Sequence, residues 1–442
     1  CVMISRGPLS LGESMFTDDY KEQPYWWDRT PPPPTGGLPL PEAVDVLIIG
    51  AGYTGLSAAI QTARGGRDTL VLDAENAGWG CSTRNGGQVS TSIKPSFSQL
   101  EKRHGHDAAY AIMHEGVASR QWTEDFIKAE KIDCDFDVVG RFHAAHNSSQ
   151  FEKLVKSIKS QTPGLDENAY VVPRNEQQKE LGTDGYHGGV VYSDHASFDP
   201  ARYHRGLLGL ASAAGAKTIS HCPVGGLSRE KHGFSVQTPK GEVRAKKVIL
   251  ATNGYTGSLS PWHRRRIIPI GSYIIATEPI EPKLMNKLMP TNRIISDTRK
   301  VVYYYRPSPD RKRILFGGRV SLGETNPRIS GPKLHKSMAT LFPELETIKI
   351  SHSWMGMVAF TFDTLMNVGE EKGLYYSMGY CGSGAGMAGY LGMRVGQQAL
   401  GLSEGQTAFN QVKFQTRPLY SEKPWFLAPS IMYYRMRDNL NF

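Results

Sequence analysis

Cysteine is scarce in this chain: Cys1, Cys81, Cys134, Cys222 and Cys381 are five of 442 residues. The number is odd and no two stand as CxxC, which excludes a disulfide framework and a thiolate zinc site as organising features. Long apolar runs are also missing. None approaches the roughly 20 residues a membrane-crossing helix needs, so with 39% hydrophobic and 21% charged residues the sequence reads as a globular protein. The formal net charge is +9, yet the positive residues are dispersed, and the densest cluster, His263 to Arg266, is four residues long. Without basic stretches interleaved with aromatics, no nucleic-acid surface is expected. The segment Cys1 to Pro34 lacks the basic, apolar and small-residue succession of a secretory signal, so a cytoplasmic location is expected. His104-Gly105-His106 has no further ligand at useful spacing and reads as a surface loop, with no metal site.

What is present is α/β. At this length two or three domains are expected. Residues 1–43 read as an arm, aromatic at Tyr25, Trp26 and Trp27 and stiffened from Pro31 to Pro34, with the aromatics pinning it to the body. Val44 to Ile49 reads as a buried parallel strand, followed by a glycine turn, a helix from about Gly52 to Ala63 and a second strand, Thr69 to Leu72. The chain is then helical to about Lys159, with a strand at Val138 to Ala144. A strand, helix, strand run around 201–227 leads to a hairpin through Pro239 and Gly241 and a buried strand, Val248 to Thr252. Ile267 to Thr277, Val301 to Tyr305 and Ile314 to Phe316 are β-rich, and a glycine-dense turn precedes a helix over Gly389 to Leu400. Parallel and antiparallel segments therefore alternate. The expectation is a Rossmann-type domain from 44–95, 195–255 and 351–442, interleaved with an α+β substrate domain from 96–194 and 256–350 on a large, mainly antiparallel sheet.

Gly50-Ala51-Gly52-Tyr53-Thr54-Gly55 is a GxGxxG placed directly after a strand and opening a helix, the context a dinucleotide fingerprint requires. The first glycine makes the tight turn, the second, Gly52, admits a pyrophosphate, and the third, Gly55, lets helix pack on strand. Asp73 closes the second strand near the roughly 20-residue separation expected of a carboxylate that grips a ribose 2′-hydroxyl. Just past it, Ser82, Arg84, Asn85, Gly86, Gly87 and Gln88 lie where a flavin's pyrophosphate and ribityl chain would continue. Near the other end, Gly382, Gly384, Gly386 and Met387 open a helix whose N–H groups would stabilise negative charge on a reduced flavin. These blocks point to FAD rather than NAD.

The strand with its GxGxxG, Asp73, Arg84-Asn85-Gly86-Gly87-Gln88, Ala251-Thr252-Asn253-Gly254 and the terminal glycine turn together resemble the D-amino-acid oxidase superfamily of FAD enzymes, most closely its gamma-glutamylputrescine oxidase branch, over roughly residues 44–440. The resemblance implies an FAD domain interleaved with a substrate domain, Gly254 beside the cofactor, and Val224 on a strand that meets the adenine. Cys81 and Thr83 depart from the smaller residues usual in that block. Neither Cys81 nor Cys381 sits in the pattern associated with covalent attachment, so non-covalent FAD is expected.

The implied chemistry is removal of hydride from the carbon beside an unprotonated amine, giving an imine that water hydrolyses; positioning and cofactor electronics do most of this work. Alternation places Tyr304 and Arg306 on one face of a strand, opposite Tyr303 and Tyr305. Tyr304 is the candidate over the flavin, Arg319 the candidate for a substrate carboxylate, and Asp363, after Trp354-Met355-Gly356, the candidate for an ammonium. For each, a structural reading stands beside the functional one: aromatic core, an ion pair, a capped turn. A small-molecule amine and oxygen or another electron acceptor are the expected partners. Trp425, Phe426, Tyr433, Tyr434, Arg435 and Met436 offer a membrane-peripheral surface, against the simpler expectation of a packed helix. A pyridine-nucleotide-linked reductase would carry a second GxGxxG or a redox cysteine pair, and neither is present. An electron-transfer flavoprotein subunit is the remaining alternative.

Overall fold

The computed structural model describes residues 15–33, 37–91, 93–319, 323–421 and 424–440. Two sheets carry it. The first begins with Ala43–Ile49, whose run of β-branched and leucine side chains is buried on both sides. It pairs in parallel with Thr69–Leu72 on one edge and Gly241–Leu250 on the other. Lys217–Ile219 extends the first edge and Leu374–Met378 the second, both in parallel. In chain order the parallel strands thus run third, second, first, fourth, fifth, the doubly wound arrangement whose ligand crevice lies beyond the carboxyl ends where the order reverses. That point falls between Ala43–Ile49 and Gly241–Leu250.

Helices Tyr53–Arg64 and Gly384–Leu400 cover one face and pack on each other at unusually close range. A Cβ on Gly392 would stand 2.4 Å from the Thr54 carbonyl oxygen, and one on Gly396 would stand 3.0 Å from the Ala58 Cα. Glycine at these positions lets the carboxyl-end turns of strands far apart in sequence meet.

The second sheet has nine strands in the order Phe16–Lys21, Ile350–Phe360, Ile268–Thr277, Ile314–Gly318, Tyr304–Pro307, Ile294–Asp297, Arg141–Ala144, Gly189–Tyr192, Ala169–Val172. Only the pairings Phe16–Lys21 with Ile350–Phe360 and Ile294–Asp297 with Arg141–Ala144 are parallel. Alternation sorts its side chains. Phe142, Tyr273, Ile275, Ile295, Tyr305 and Phe316 form a core with Leu334, Met338 and Leu341 of the helix Pro327–Leu341. The registers put Arg141, His143, Ser296, Tyr304, Arg306 and Trp354 on the opposite face, toward the loops of the parallel sheet.

Three elements differ from the sequence reading. Ile350–Phe360 was expected with the nucleotide-binding segments from 351 onward, but it hydrogen-bonds in the nine-stranded sheet and only then crosses over. The arm contributes an edge strand, Phe16–Lys21, and a short helix, Tyr25–Arg29; Cys1 and Pro34 lie outside the described residues. Val224 belongs to no strand: it lies in the irregular link 222–225 between Lys217–Ile219 and Gly226–Glu230, packed at the edge of the core. The tail forms a helix, Leu427–Leu440, anchored where Asp438 accepts the backbone N–H groups of Lys300 and Val301, with Met432, Tyr433 and Met436 exposed. Among the described residues, no helix is long and apolar enough to cross a membrane.

Candidate cofactor and substrate site

At the reversal point the GxGxxG turn is built by steric necessity. Gly50 has φ +107°, and a Cβ there would approach the Ala251 carbonyl oxygen to 2.8 Å. A Cβ on Gly52 would stand 2.7 Å from Ser82 Oγ, and one on Gly55 1.8 Å from the Gly50 carbonyl oxygen. Gly52 caps the helix without a side chain, and the Tyr53 N–H donates to Ser82 Oγ at 2.9 Å, so Ser82 sits at the positive end of the helix dipole. Asp73 accepts the Ala51 N–H at 2.7 Å and the Glu75 N–H at 3.0 Å. Burial raises its pKa, and those two N–H groups pull the other way. A glycine cradle, an uncapped helix start and a carboxylate at the end of the second strand are the donor set that an adenosine diphosphate moiety requires. His204, which the sequence reading passed over, braces the turn from behind: its Nε2 lies 2.7 Å from the Ala51 carbonyl oxygen.

The Arg84–Gln88 block is braced rather than free. Asn85 Nδ2 donates to the Cys81 and Ser82 carbonyls, and its Oδ1 accepts the Gly87 N–H at 2.8 Å. The Arg84 guanidinium lies between the rings of Trp27 and Trp79, at 4.9 and 4.5 Å. Backbone oxygens of the block are held by indoles: Trp26 Nε1 donates to Asn85 O at 2.9 Å and Trp354 Nε1 to Arg84 O at 2.8 Å. Gly87 has φ +64°, and its carbonyl accepts from Arg306 Nη1 at 3.1 Å. Gln88 Nε2 donates to Tyr305 O at 3.2 Å. Thus the arm and the nine-stranded sheet together shape the segment expected to follow the cofactor.

Gly254 sits in the turn after the fourth parallel strand, where a Cβ would come within 2.9 Å of the Met357 carbonyl oxygen. Next to it, Asn253 Oδ1 accepts the Gly379 N–H at 2.9 Å and ties this turn to the terminal glycine turn. Gly382, Gly384, Gly386 and Met387 lie at the start of the last long helix, with Met387 fully buried and Gly386 against Val89. All these groups converge on the carboxyl ends of the parallel strands.

Of the three chemical candidates, Tyr304 faces this convergence. Its ring contacts Gly86 and Gly317, its hydroxyl hydrogen-bonds Ser272 Oγ at 2.9 Å, and burial pushes its pKa up to about 12. Arg319 is engaged: its Nη1 donates to the Gly271 carbonyl and pairs with Glu324 at 3.0 Å. Asp363 staples a turn, accepting from Thr361 Oγ1 at 3.0 Å and the Leu365 N–H at 3.2 Å. For these two the structural reading describes the observed contacts.

Fold and cradle together define a dinucleotide-binding oxidoreductase. The family model for FAD dependent oxidoreductase (DAO) matches residues 45–398, and the chain belongs to that family. It is 30% identical to the gamma-glutamylputrescine oxidoreductase of Escherichia coli, over 90% of this chain and 93% of that protein. It is also 30% identical to the probable oxidoreductase OrdL of Haemophilus influenzae, over 84% and 86%. Among solved structures, glycine oxidase from Geobacillus kaustophilus superposes with a TM-score of 0.70 at 18% identity, covering 86% of this chain and 99% of that one. The protein is an FAD-dependent oxidoreductase.

With the cofactor assigned, the expected grip of Asp73 on the ribose becomes testable. Hydrogen bonds to charged groups contribute about 1.5–3 kcal/mol, so Asp73→Ala is expected to weaken FAD binding by about 10- to 100-fold. Fluorescence titration of apoprotein with FAD reads this directly, and an unchanged Kd would remove Asp73 from the cofactor site.

Proposed function

We propose that this enzyme oxidises the carbon next to an amine nitrogen, giving an imine that water hydrolyses to an aldehyde or keto product and the released amine or ammonia. FAD, when bound, would accept the hydride removed from that carbon, which carries both electrons of the oxidation; the iminium left behind is what water hydrolyses. The observation that carries the reading is the position of Tyr304, half-buried on the sheet face with its ring beside Gly86 of the segment expected to follow the cofactor, and its hydroxyl oriented by Ser272. A half-buried, un-ionised phenol there provides an apolar wall and one directional hydrogen bond, which suits the neutral amine form that must react. The similarity to gamma-glutamylputrescine oxidoreductase supports an amine as substrate.

We also read the FAD as non-covalently held. Cys81 donates its thiol hydrogen to Met357 O at 2.9 Å and Cys381 to Gly379 O at 3.1 Å, and burial pushes both thiols up to about 11. Protonated, hydrogen-bonded thiols are poor nucleophiles.

An anaerobic titration of the holoenzyme with gamma-glutamylputrescine, putrescine, glycine, sarcosine and pipecolate tests the reading. At least one is expected to bleach the flavin absorbance, and readmitted air then shows whether oxygen reoxidises it. Bleaching by NADH and by none of the amines would overturn it.

A further inference from the structure

The helix Leu427–Leu440 is amphipathic in reverse. Leu427, Ile431, Arg435 and Asp438 recur at i, i+4, i+8 and i+11 and share the face turned to the body. Ile431 is buried, Arg435 donates to the Arg319 carbonyl at 3.4 Å, and Asp438 accepts the N–H groups of Lys300 and Val301 at 3.0 and 3.1 Å. Pro429, Met432, Tyr433 and Met436, at i, i+3, i+4 and i+7, share the opposite face, and all are exposed. A surface helix normally turns its apolar stripe to the core. Here charged groups dock the helix, and the apolar stripe is left in water.

Two more apolar side chains stand beside it. Trp425, in the turn that opens the helix, is 67% exposed, and Leu419 is 90% exposed on a turn that holds it at φ +64°. Leucine seldom adopts that backbone conformation, so the turn bears strain to keep an apolar side chain outside. The two are fixed to one another through Tyr420 and Phe426, whose rings lie 5.7 Å apart: Phe426 packs on Trp425 at 5.6 Å, and the Tyr420 hydroxyl donates to the Ile267 carbonyl at 2.7 Å. The surroundings are basic. Thr416 Oγ1 donates to the Arg265 carbonyl at 2.8 Å and Arg266 Nε to the Phe414 carbonyl at 3.0 Å, which brings the densest basic cluster of the sequence beside this segment. Between 413 and 438 five basic residues stand against two acids, Glu422 and Asp438, and Asp438 is already engaged. Arg265, Lys413 and Arg417 are exposed.

We propose that this face docks on a bilayer containing anionic lipid. Leu419, Trp425, Met432, Tyr433 and Met436 enter the headgroup layer, while Arg265, Lys413 and Arg417 meet the anionic headgroups. Aromatic, aliphatic and basic side chains on one surface are the combination that settles in a membrane interface. A second copy of this chain fits less well. A 14-residue helix is about 21 Å long and about 10 Å wide, so its outward side covers about 200 Å², well below the roughly 800 Å² per partner of a stable protein interface. A two-fold contact would also set one basic rim against the other. A bilayer needs no matched pocket, and each basic side chain close to an anionic leaflet tightens attachment about fivefold.

Sedimentation of the holoenzyme with vesicles tests the proposal, using phosphatidylcholine alone and phosphatidylcholine with phosphatidylglycerol in equal parts. The anionic vesicles are expected to carry the protein down at low salt and release it as salt rises, and the neutral ones to leave it in solution. Met432→Glu combined with Met436→Glu is expected to weaken binding about tenfold or more, Leu419→Asp by a similar factor, and Arg265→Gln and Arg417→Gln about fivefold each. These side chains lie on the surface, so flavin content is expected to stay at the parent level. Inorganic phosphate at constant ionic strength is expected not to displace the protein; displacement would give the basic rim to a small anion and overturn the proposal. So would absence of binding to the anionic vesicles, equal binding to both sets, or binding that the variants leave unchanged. Self-association in sedimentation velocity, lost in the Met432→Glu and Met436→Glu protein and unaccompanied by vesicle binding, would assign the face to a second copy instead.

Discussion

Gly55→Ala is expected to yield a protein that purifies without yellow colour. The added Cβ would lie 1.8 Å from the Gly50 carbonyl oxygen, 3.1 Å from its carbonyl carbon and 3.2 Å from Ile48 Cγ2. Two of those atoms are backbone of the turn itself, so no rotamer relieves the clash. The helix Tyr53–Arg64 must lift from its strand, and its other side is closed by Gly392 and Gly396 of the last long helix. Overpacking of this kind costs about 1–3 kcal/mol where side chains can adjust. Here the distortion falls on the N–H groups proposed to meet the pyrophosphate, so FAD affinity is expected to drop about 100-fold or more. The ratio of flavin to protein absorbance and the FAD titration of apoprotein measure it. A variant that retains stoichiometric FAD would show that the turn tolerates a Cβ and would remove the glycine cradle from the argument.

Arg306→Met carries the second large effect. Arg306 is 3% exposed and donates to Gly87 O, Phe198 O and Pro307 O; burial lowers its pKa to about 10. Methionine keeps much of the volume but donates to none of the three carbonyls. Each buried group left unsatisfied costs about 1–3 kcal/mol, and the Phe198 and Gly87 carbonyls flank the small strand pair Gln88–Val89 and Ala196–Ser197. A clear fall in Tm is expected, together with at least about tenfold weaker FAD binding, because Gly87 belongs to the segment proposed to follow the cofactor. Loss of Tm with unchanged FAD affinity would confine Arg306 to the sheet interface.

The parts legible in the sequence were those governed by local rules. The GxGxxG, its strand and Asp73 are turn chemistry read at fixed spacing, and they land where expected. The division of Tyr304 and Arg306 from Tyr303 and Tyr305 follows from the two-residue period of a strand, which no distant contact can reverse. What failed to show was set by partners far along the chain. Nothing near Ile350–Phe360 announces that it pairs with Ile268–Thr277 before crossing over. The resemblance alone puts Val224 on a strand; with Pro223 before it and Gly225 after it, the link stays irregular, and regular pairing begins at Gly226. Arg319 pairs with an acid only five positions on, Glu324, a local signal masked by the attraction of a Gly-Gly-Arg end to a strand.

The arm also sets an order of events during synthesis. Its strand pairs with Ile350–Phe360, and Tyr20 meets Ser353, 333 positions later. The arm therefore finds its strand partner only after a segment 333 positions further along has emerged, so Trp26 waits for Ile274, Leu315 and Trp354 of its own apolar cluster. Closing so long a loop is slow relative to local folding. Both sheets must consequently exist before the arm can lock the cofactor segment, which makes its docking a late step in maturation.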